Sequence, residues 1–298
     1  MTNRARRFSK KSTTGRAFIY RSYFAIADRV APAHAAESAV DLFCTPRHPP
    51  PARAALGRRF TLRTPASPDL SLHDWGDGPT ALLVHGWSGT SAQLAGFVAP
   101  LLQQGHYVAA LDLPAHGDSP GRRTNIREMA DAIARAGRRL GPVRALVAHS
   151  LGAAAAAVAM AEGLRVERAV LIASPANIEV YPRRFAAALG FSPAGADRMA
   201  AALERRAGPL ERLSPIRLAP RQTAEALILH DPLDREVPFD ESRALAKAWP
   251  GAQLEAIAGR GHTRALHDPE VIARAAAFIG AAEPQRAIGP TFARAAAR

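Results

Sequence analysis

Short, largely apolar runs separated by helix-like stretches constrain this chain more than any other feature of it. Residues 81–85 (ALLVH), 107–111 (YVAAL), 143–148 (VRALVA), 168–172 (RAVLI) and 225–230 (EALILH) are rich in Val, Leu, Ile and Ala, and 253–257 follows the same style. Such runs fit strands buried on both faces of a parallel sheet. Helical patterns lie between them. Asn125 stands where a helix N-cap is expected, and Ile126, Met129, Ile133 and Leu140 follow on one face. Residues 151–161 form a second expected helix, made almost wholly of small apolar side chains. The alternation predicts βαβ units with right-handed crossovers, hence an α/β fold with a mostly parallel central sheet and helices on both faces. At 298 residues and 48% apolar composition the chain can bury a large core in one such unit.

Four regions are expected. Residues 1–16 read as a basic, flexible tail. Residues 17–56 read as one amphipathic helix followed by a Pro-rich linker at 46–51. Ile19, Tyr23, Ile26, Ala27 and Val30 recur at helical spacing, and apolar stripes of this kind are usually buried against protein, so docking on the main domain is the expectation. Residues 57–282 carry the strand–helix alternation, interrupted at 176–222 by an Arg-rich stretch with five prolines. A structureless loop of that length is improbable inside a domain, so a small helical insertion over the sheet is expected there. Residues 283–298 read as a loose C-terminal tail.

The formal net charge is +13, and seven of the basic residues, with no acid, fall in residues 1–27. A basic end beside an apolar face fits weak association of residues 1–30 with an anionic membrane surface, while a solvated end is the plainer reading. No nucleic-acid partner is expected. Arg21 interrupts the apolar stretch near the N-terminus, so it does not read as a secretory signal. No run approaches the ~18 apolar residues of a membrane span. A single cysteine, Cys44, excludes an intramolecular disulfide and a cysteine metal cluster. A cytoplasmic, at most membrane-peripheral, location is expected. With no H-E-x-x-H, phosphate-binding loop or dinucleotide fingerprint, no cofactor and no metal is expected.

The chemistry concentrates at strand ends. In Ala148-His149-Ser150-Leu151-Gly152 a strand-like run meets a helix-like one, so Ser150 falls on a tight turn that lifts its hydroxyl above the sheet edge. Residues two before and two after must be small for such a turn to close; here they are Ala148, in place of the usual glycine, and Gly152. A serine capping a helix is the plainer reading of this segment alone. The Gly-rich turn His85-Gly86-Trp87-Ser88-Gly89 can aim backbone N–H groups at a developing oxyanion, with the N–H of Leu151 as the second donor and Trp87 as the first. Further on, 230–238 offers two carboxylates, Asp231 and Asp234, and His262 sits in a Gly-flanked loop after the last strand-like run. His267 is a distant second choice as a base, and Asp268 is a good N-cap for the helix after it. A near-neutral imidazole can take and return a proton, and a carboxylate holds its tautomer.

Taken together, LLVHGWSG, ALDLPAHGDS, LVAHSLGA, LILHDPLDREVPF and GRGHT resemble the α/β-hydrolase superfamily of serine hydrolases, over about residues 60–280. The resemblance implies an α/β-hydrolase fold with 176–222 as a cap over the active site. It implies that Ser150, Asp234 and His262 form a catalytic triad, with Asp234 preferred because Asp234-Arg235-Glu236-Val237-Pro238 matches D-x-x-V-P. Asp231 and Ala115 depart from the family pattern, and His116 is expected to be structural. The expected reaction is cleavage of a carboxylic ester or thioester of a small-molecule acyl substrate. Amide or carbon–carbon bond hydrolysis by the same triad, or a non-catalytic binding protein on this fold, are the alternatives.

Overall fold

The computed structural model describes residues 7–47, 57–64 and 67–281. The expected tail at 283–298 and most of the Pro-rich linker lie outside the described residues. Eight strands make one sheet: β1 (Arg58–Thr64), β2 (Ser67–Trp75), β3 (Thr80–Val84), β4 (Tyr107–Leu111), β5 (Val143–His149), β6 (Val166–Ile172), β7 (Glu225–His230) and β8 (Gln253–Ala256). Their order is β1-β2-β4-β3-β5-β6-β7-β8. β1 and β2 pair antiparallel with each other, and β2 pairs antiparallel with β4. From β4 to β8 all neighbours are parallel. The six expected strands are those of the parallel part. β1 and β2 escape the search for apolar runs because their apolar residues alternate with charged ones, as in Arg59-Phe60-Thr61-Leu62-Arg63. In β1 one face is buried, through Leu62, and in β2 the face opposite Leu70 and Leu72 is buried too but carries the polar Ser71 and His73.

Helices cover both faces. α4 (Ile126–Leu140) and α5 (Ser150–Ala161) lie among the side chains of one apolar core. α3 (Val98–Gln103) and the late helix α10 (Pro269–Gly280) contribute Val98, Leu101, Val271 and Ile279 to a second. Asn125 caps α4 by accepting the N–H groups of Arg127 and Glu128 at 2.9 and 3.1 Å. In α5, every residue from Gly152 to Met160 is buried. Only small side chains let a helix pack this closely against its neighbours.

The stretch 176–222 is helical, with α6 (Val180–Ala188), α7 (Pro193–Ala207) and the short α8 (Pro215–Leu218) joined by 3-10 turns. A final helix of this half, α9 (Phe239–Ala248), follows β7.

The N-terminal region departs from expectation in three ways. Helix α1 spans Arg7–Val30, so the tail expected at 1–16 is helical from residue 7, and residues 1–6 lie outside the described chain. A second helix, α2 (Pro32–Phe43), follows where one helix and a linker were expected. The break falls at Pro32, which lacks an N–H and disfavours helical geometry in Ala31 before it, but suits the first position of a new helix. Finally, α1 docks by a different side from the one its apolar spacing suggests. Phe24 is buried with its ring 5.3 Å from that of Phe191. Asp28 is buried too, accepting hydrogen bonds from the N–H and hydroxyl of Ser192 at 2.9 and 2.6 Å and from Arg198 at 2.6 Å. Burial pushes the Asp28 carboxyl up, but the Ser192 and Arg198 contacts outweigh it and hold the group below its ordinary range. Ile19, Tyr23, Ile26 and Val30 are exposed instead. A period of 3.6 marks a face but does not say whether a neighbour of matching shape exists for it.

α2 buries Ala35, Ala36, Ala39 and Val40. It is tied to α7 by ion pairs of Glu37 with Arg205 and Arg206, at 2.6 and 2.5 Å, and of Asp41 with Arg206 at 2.6 Å. The roof over the sheet edge is thus α1, α2, α6 and α7 together, and not the 176–222 insertion alone.

Candidate active site

Parallel strands deliver their C-terminal ends to one edge, and the candidate residues follow those ends. Ser150 follows β5, which lies between β3 and β6 near the middle of the sheet. Asp234 follows β7 and His262 follows β8, the edge strand.

Ser150 has φ of +51°, a conformation that costs energy for a residue with a side chain and that the tight strand-to-helix turn imposes. Its neighbours show why small residues stand around it. A Cβ on Gly152 would overlap the carbonyl oxygen of His85, and a Cβ on Gly86 would come within 2.8 Å of the His149 ring and 3.0 Å of the Ser150 Cβ. The Gly86 turn and the Ser150 turn therefore touch backbone to backbone. Ala148 stands in the interior of β5 opposite Val84 and Leu171, fully buried, where a methyl group fits without strain.

The Ser150 hydroxyl lies 2.9 Å from His262 Nε2, and His262 Nδ1 lies 2.7 Å from Asp234 Oδ2. The partners assign the ring's proton: Nδ1–H donates to the carboxylate, which leaves Nε2 to accept the Ser150 O–H. The Asp234 side chain is fully buried. Its Oδ1 accepts the N–H groups of Glu236 and Val237 at 2.7 and 3.1 Å, and its Oδ2 also meets His230 Nε2 at 3.2 Å. Burial would push the pKa of this carboxyl up, but the hydrogen bonds from His230, His262 and Glu236 prevail and hold it well below the ordinary carboxylate range. Asp234 therefore stays ionised behind the imidazole.

Asp231 has a separate place. Its Oδ1 accepts the Leu233 N–H at 2.9 Å and its Oδ2 accepts the N–H of Gly261, the residue before His262. It anchors the backbone of the His262 loop and does not face the ring. Burial pushes its pKa up, and the Gly261, Leu233 and Gly259 N–H groups outweigh that and hold it below the ordinary carboxylate range.

His149 sits beneath His262, with ring centroids 4.8 Å apart. Its Nε2–H donates to the His262 carbonyl at 3.1 Å. Burial, with the nearby His262 ring second, pushes His149 down to about 3, so it is neutral. His85 is likewise pushed down to about 3 by burial and then by His116. Its Nε2 accepts the Leu113 N–H at 3.0 Å, tying the turn after β3 to the loop after β4. His116 accepts the Ser88 N–H at 3.0 Å, and Trp87 packs edge-on against the His116 ring at 5.4 Å. The structural role expected of His116 is thus to shape the Gly86–Ser88 turn.

Ser150, Leu151, Trp87 and His262 border one cavity of about 950 Å³. Leu151 lies in the first turn of α5, where backbone N–H groups have no partner within the helix. The cavity runs beneath α6 and α7, and the segment after α2 closes one side, where the Arg47 N–H donates to the Ser88 hydroxyl at 2.9 Å. Cys44 lies on the same wall, and burial pushes its thiol up to about 11, which keeps it protonated and unreactive. Two bordering residues have no role assigned by any motif, Glu236 falling at a variable position of D-x-x-V-P. Glu236 places Oε2 3.8 Å from His262 Nε2. Tyr181 donates its hydroxyl to Glu241 at 2.9 Å, and burial beside that carboxylate pushes the phenol's pKa up and keeps it protonated. Glu241 also accepts the N–H groups of Ala176 and Asn177, at 2.7 and 3.0 Å, pinning the start of the cap to α9.

His267 is exposed and borders a separate shallow depression with Gly259, Arg260 and Asp268. Asp268 caps α10 by accepting the N–H groups of Glu270 and Val271. Among the described residues, His73, Asp112 and Asp118 bring possible ligand atoms within 4.8 Å of one another, away from the cavity. Asp112 already accepts the Ser91 and Asp118 N–H groups at 2.7 and 3.0 Å.

A family model described as "Alpha/beta hydrolase family" matches residues 81–275, from β3 into α10. The chain belongs to the alpha/beta hydrolase family. Solved structures with the same fold include a thermophilic esterase from Thermogutta terrifontis, at 23% identity over 74% of this chain and 96% of that one, with a TM-score of 0.56. Est1E from Butyrivibrio proteoclasticus matches at 17% identity, 74% and 97% coverage and a TM-score of 0.60. A bromoperoxidase from Bacillus anthracis matches at 17% identity, 74% and 99% coverage and a TM-score of 0.58. At these identities the likeness is one of fold, and one fold can host more than one chemistry. No curated protein matches the chain in sequence. Among the described residues no helix is long and apolar enough to cross a membrane.

Proposed function

We propose that this alpha/beta hydrolase family member is a serine hydrolase that cleaves carboxylic esters, thioesters included, through an acyl-enzyme on Ser150. The observation that carries this reading is the continuous relay from the Ser150 hydroxyl through His262 to a buried, ionised Asp234, opening onto a large cavity. In the first half-reaction Ser150 Oγ bonds to the substrate carbonyl carbon while its proton passes to His262 Nε2. The tetrahedral oxyanion is held by the Trp87 and Leu151 N–H groups. The ester C–O bond then breaks, and His262 returns the proton to the departing alkoxide. In the second half a water gives its proton to His262, attacks the acyl carbon and frees the acid, and the proton returns to Ser150. Asp234 stabilises the imidazolium in both halves without itself taking the proton. The esterases among the fold's solved structures agree with this reading of the substrate bond.

Ser150→Ala should remove both turnover of p-nitrophenyl esters and covalent labelling by a fluorophosphonate, read by intact mass. A folded Ser150→Ala protein that still turns over these esters would overturn the assignment.

A further inference from the structure

Seven large apolar side chains among the described residues are exposed, and six of them, Phe18, Ile19, Tyr20, Tyr23, Ile26 and Val30, lie on α1. Scattered exposed apolar residues are ordinary, but a cluster on one helix marks a surface that meets something. Ile19, Tyr23, Ile26 and Val30 form one stripe, while Phe24 and Asp28 face the protein. The stripe is therefore free because α1 is already held by another side.

This helix also reaches the active-site cavity. Tyr20 borders it together with Ala188 and Leu189, at the end of α6, whereas Pro175 and Ile178, just before α6, border it together with Ser150. The cavity thus follows α6 for the helix's length, about 14 Å at the usual rise per residue. At about 950 Å³ it lies near the upper end of small-molecule sites, which run roughly 300–1,000 Å³. Much of the wall is aliphatic or aromatic, with Phe43, Phe185, Leu203 and Leu210 among its residues. Charge points the same way. Residues 1–30 contain one acid, Asp28, which is buried on Ser192 and Arg198, and eight basic residues, of which Arg21 and Arg29 are exposed.

We infer that the apolar stripe of α1 seats on an anionic lipid surface and that the cavity beneath it takes a long aliphatic acyl chain drawn from that surface, carrying the ester carbonyl to Ser150. A basic segment continuous with an apolar helical stripe suits the interface of a bilayer, where the stripe enters the acyl boundary and the cations meet headgroup phosphates. This inference rests on the hydrolase reading above and names its substrate class.

The test uses the full chain in two measurements. With p-nitrophenyl esters from acetate to palmitate, kcat/KM rises by about tenfold or more from the shortest to the long chains, because binding of the remote chain is used at the carbonyl. With vesicles, the protein co-sediments with phosphatidylcholine containing phosphatidylglycerol and is released by salt. The triple variant Ile19→Ser, Tyr23→Ser, Ile26→Ser lowers the bound fraction by about fivefold or more. Its far-ultraviolet circular dichroism and thermal midpoint report whether it is folded. A profile that peaks at acetate, or wild-type protein that binds no vesicle, overturns the inference. So does a stripe-dependent dimer in sedimentation velocity without lipid binding, which would assign the stripe to a second copy. Failure of Ser150 to react with a fluorophosphonate sinks the hydrolase reading instead, and a labelled Ser150 with a short-chain profile sinks only the lipid one.

Discussion

Two carboxylates and two imidazoles crowd the His262 loop, and their bonds divide the work among them. Asp234 meets the ring, Asp231 holds the backbone before it through the Gly261 N–H, and neutral His149 holds the carbonyl of His262 from below. Removing charge from each of the two carboxylates should have different consequences. Asp234→Asn leaves a side chain that can present an amide to Nδ1 and stabilise the wrong tautomer, so kcat on a p-nitrophenyl ester should fall by about 10³- to 10⁴-fold with little change in KM. Asp231→Asn weakens the anchor without touching the ring. Its cost should be about 10- to 100-fold, the size expected when a catalytic group is displaced by a fraction of its reach. A loss in Asp231→Asn as large as that in Asp234→Asn would show that Asp231 takes part in the proton relay.

At the scale of elements, the roof depends on small polar clamps. Asp28 on α1 is held by Ser192, which caps α7, and by Arg198 within α7. One buried carboxylate thus fixes the angle between two helices. Asp28→Ala leaves the Ser192 hydroxyl and N–H with fewer partners and should destabilise the protein by about 1–3 kcal/mol, the Arg198 contribution being modest because that side chain is partly exposed. Urea unfolding measures the loss, and limited proteolysis should cut first within α1. An unchanged midpoint with no new cleavage would show that Phe24 and its contact with Phe191 suffice to hold the helix. The Pro32 break is a second device of this scale. It turns the chain from α1 into α2, whose C-terminal end then places Cys44 to Arg47 along the cavity.

For the molecule as a whole, acid should be the condition it tolerates least. His85 and His149 are buried and neutral, each pushed down to about 3. In the unfolded chain they titrate near an ordinary value of about 6.5, so between these limits the unfolded state binds more protons than the fold does. Their contribution to stability is fully present above about pH 6.5 and declines as pH falls toward 3. The urea midpoint should drop between about pH 7 and pH 5, where ordinary carboxylates titrate little. His149→Gln, which keeps a donor for the His262 carbonyl, should flatten that slope. A midpoint independent of pH over this window would mean that the two rings accept protons within the fold.

The apolar runs at β3 to β8 and the order of small residues, serine, acid and histidine are local properties. They depend on the period of side chains along a strand and on the room a tight turn needs, so they can be read one segment at a time. The α/β-hydrolase resemblance, Ser150 on a strained turn, the α4 cap and the helical insertion at 176–222 were legible for that reason. Other features depend on which surfaces meet. The motif favours Asp234 over Asp231, but that Asp234 reaches the His262 ring while Asp231 holds the Gly261 N–H is a matter of how two loops 28 residues apart come together. That α1 and α2 complete the roof, and that α1 turns Phe24 and Asp28 inward and its regular apolar stripe outward, follows from the shape of α6 and α7. Helical periodicity distinguishes the faces of a helix, but only packing selects the one that is buried.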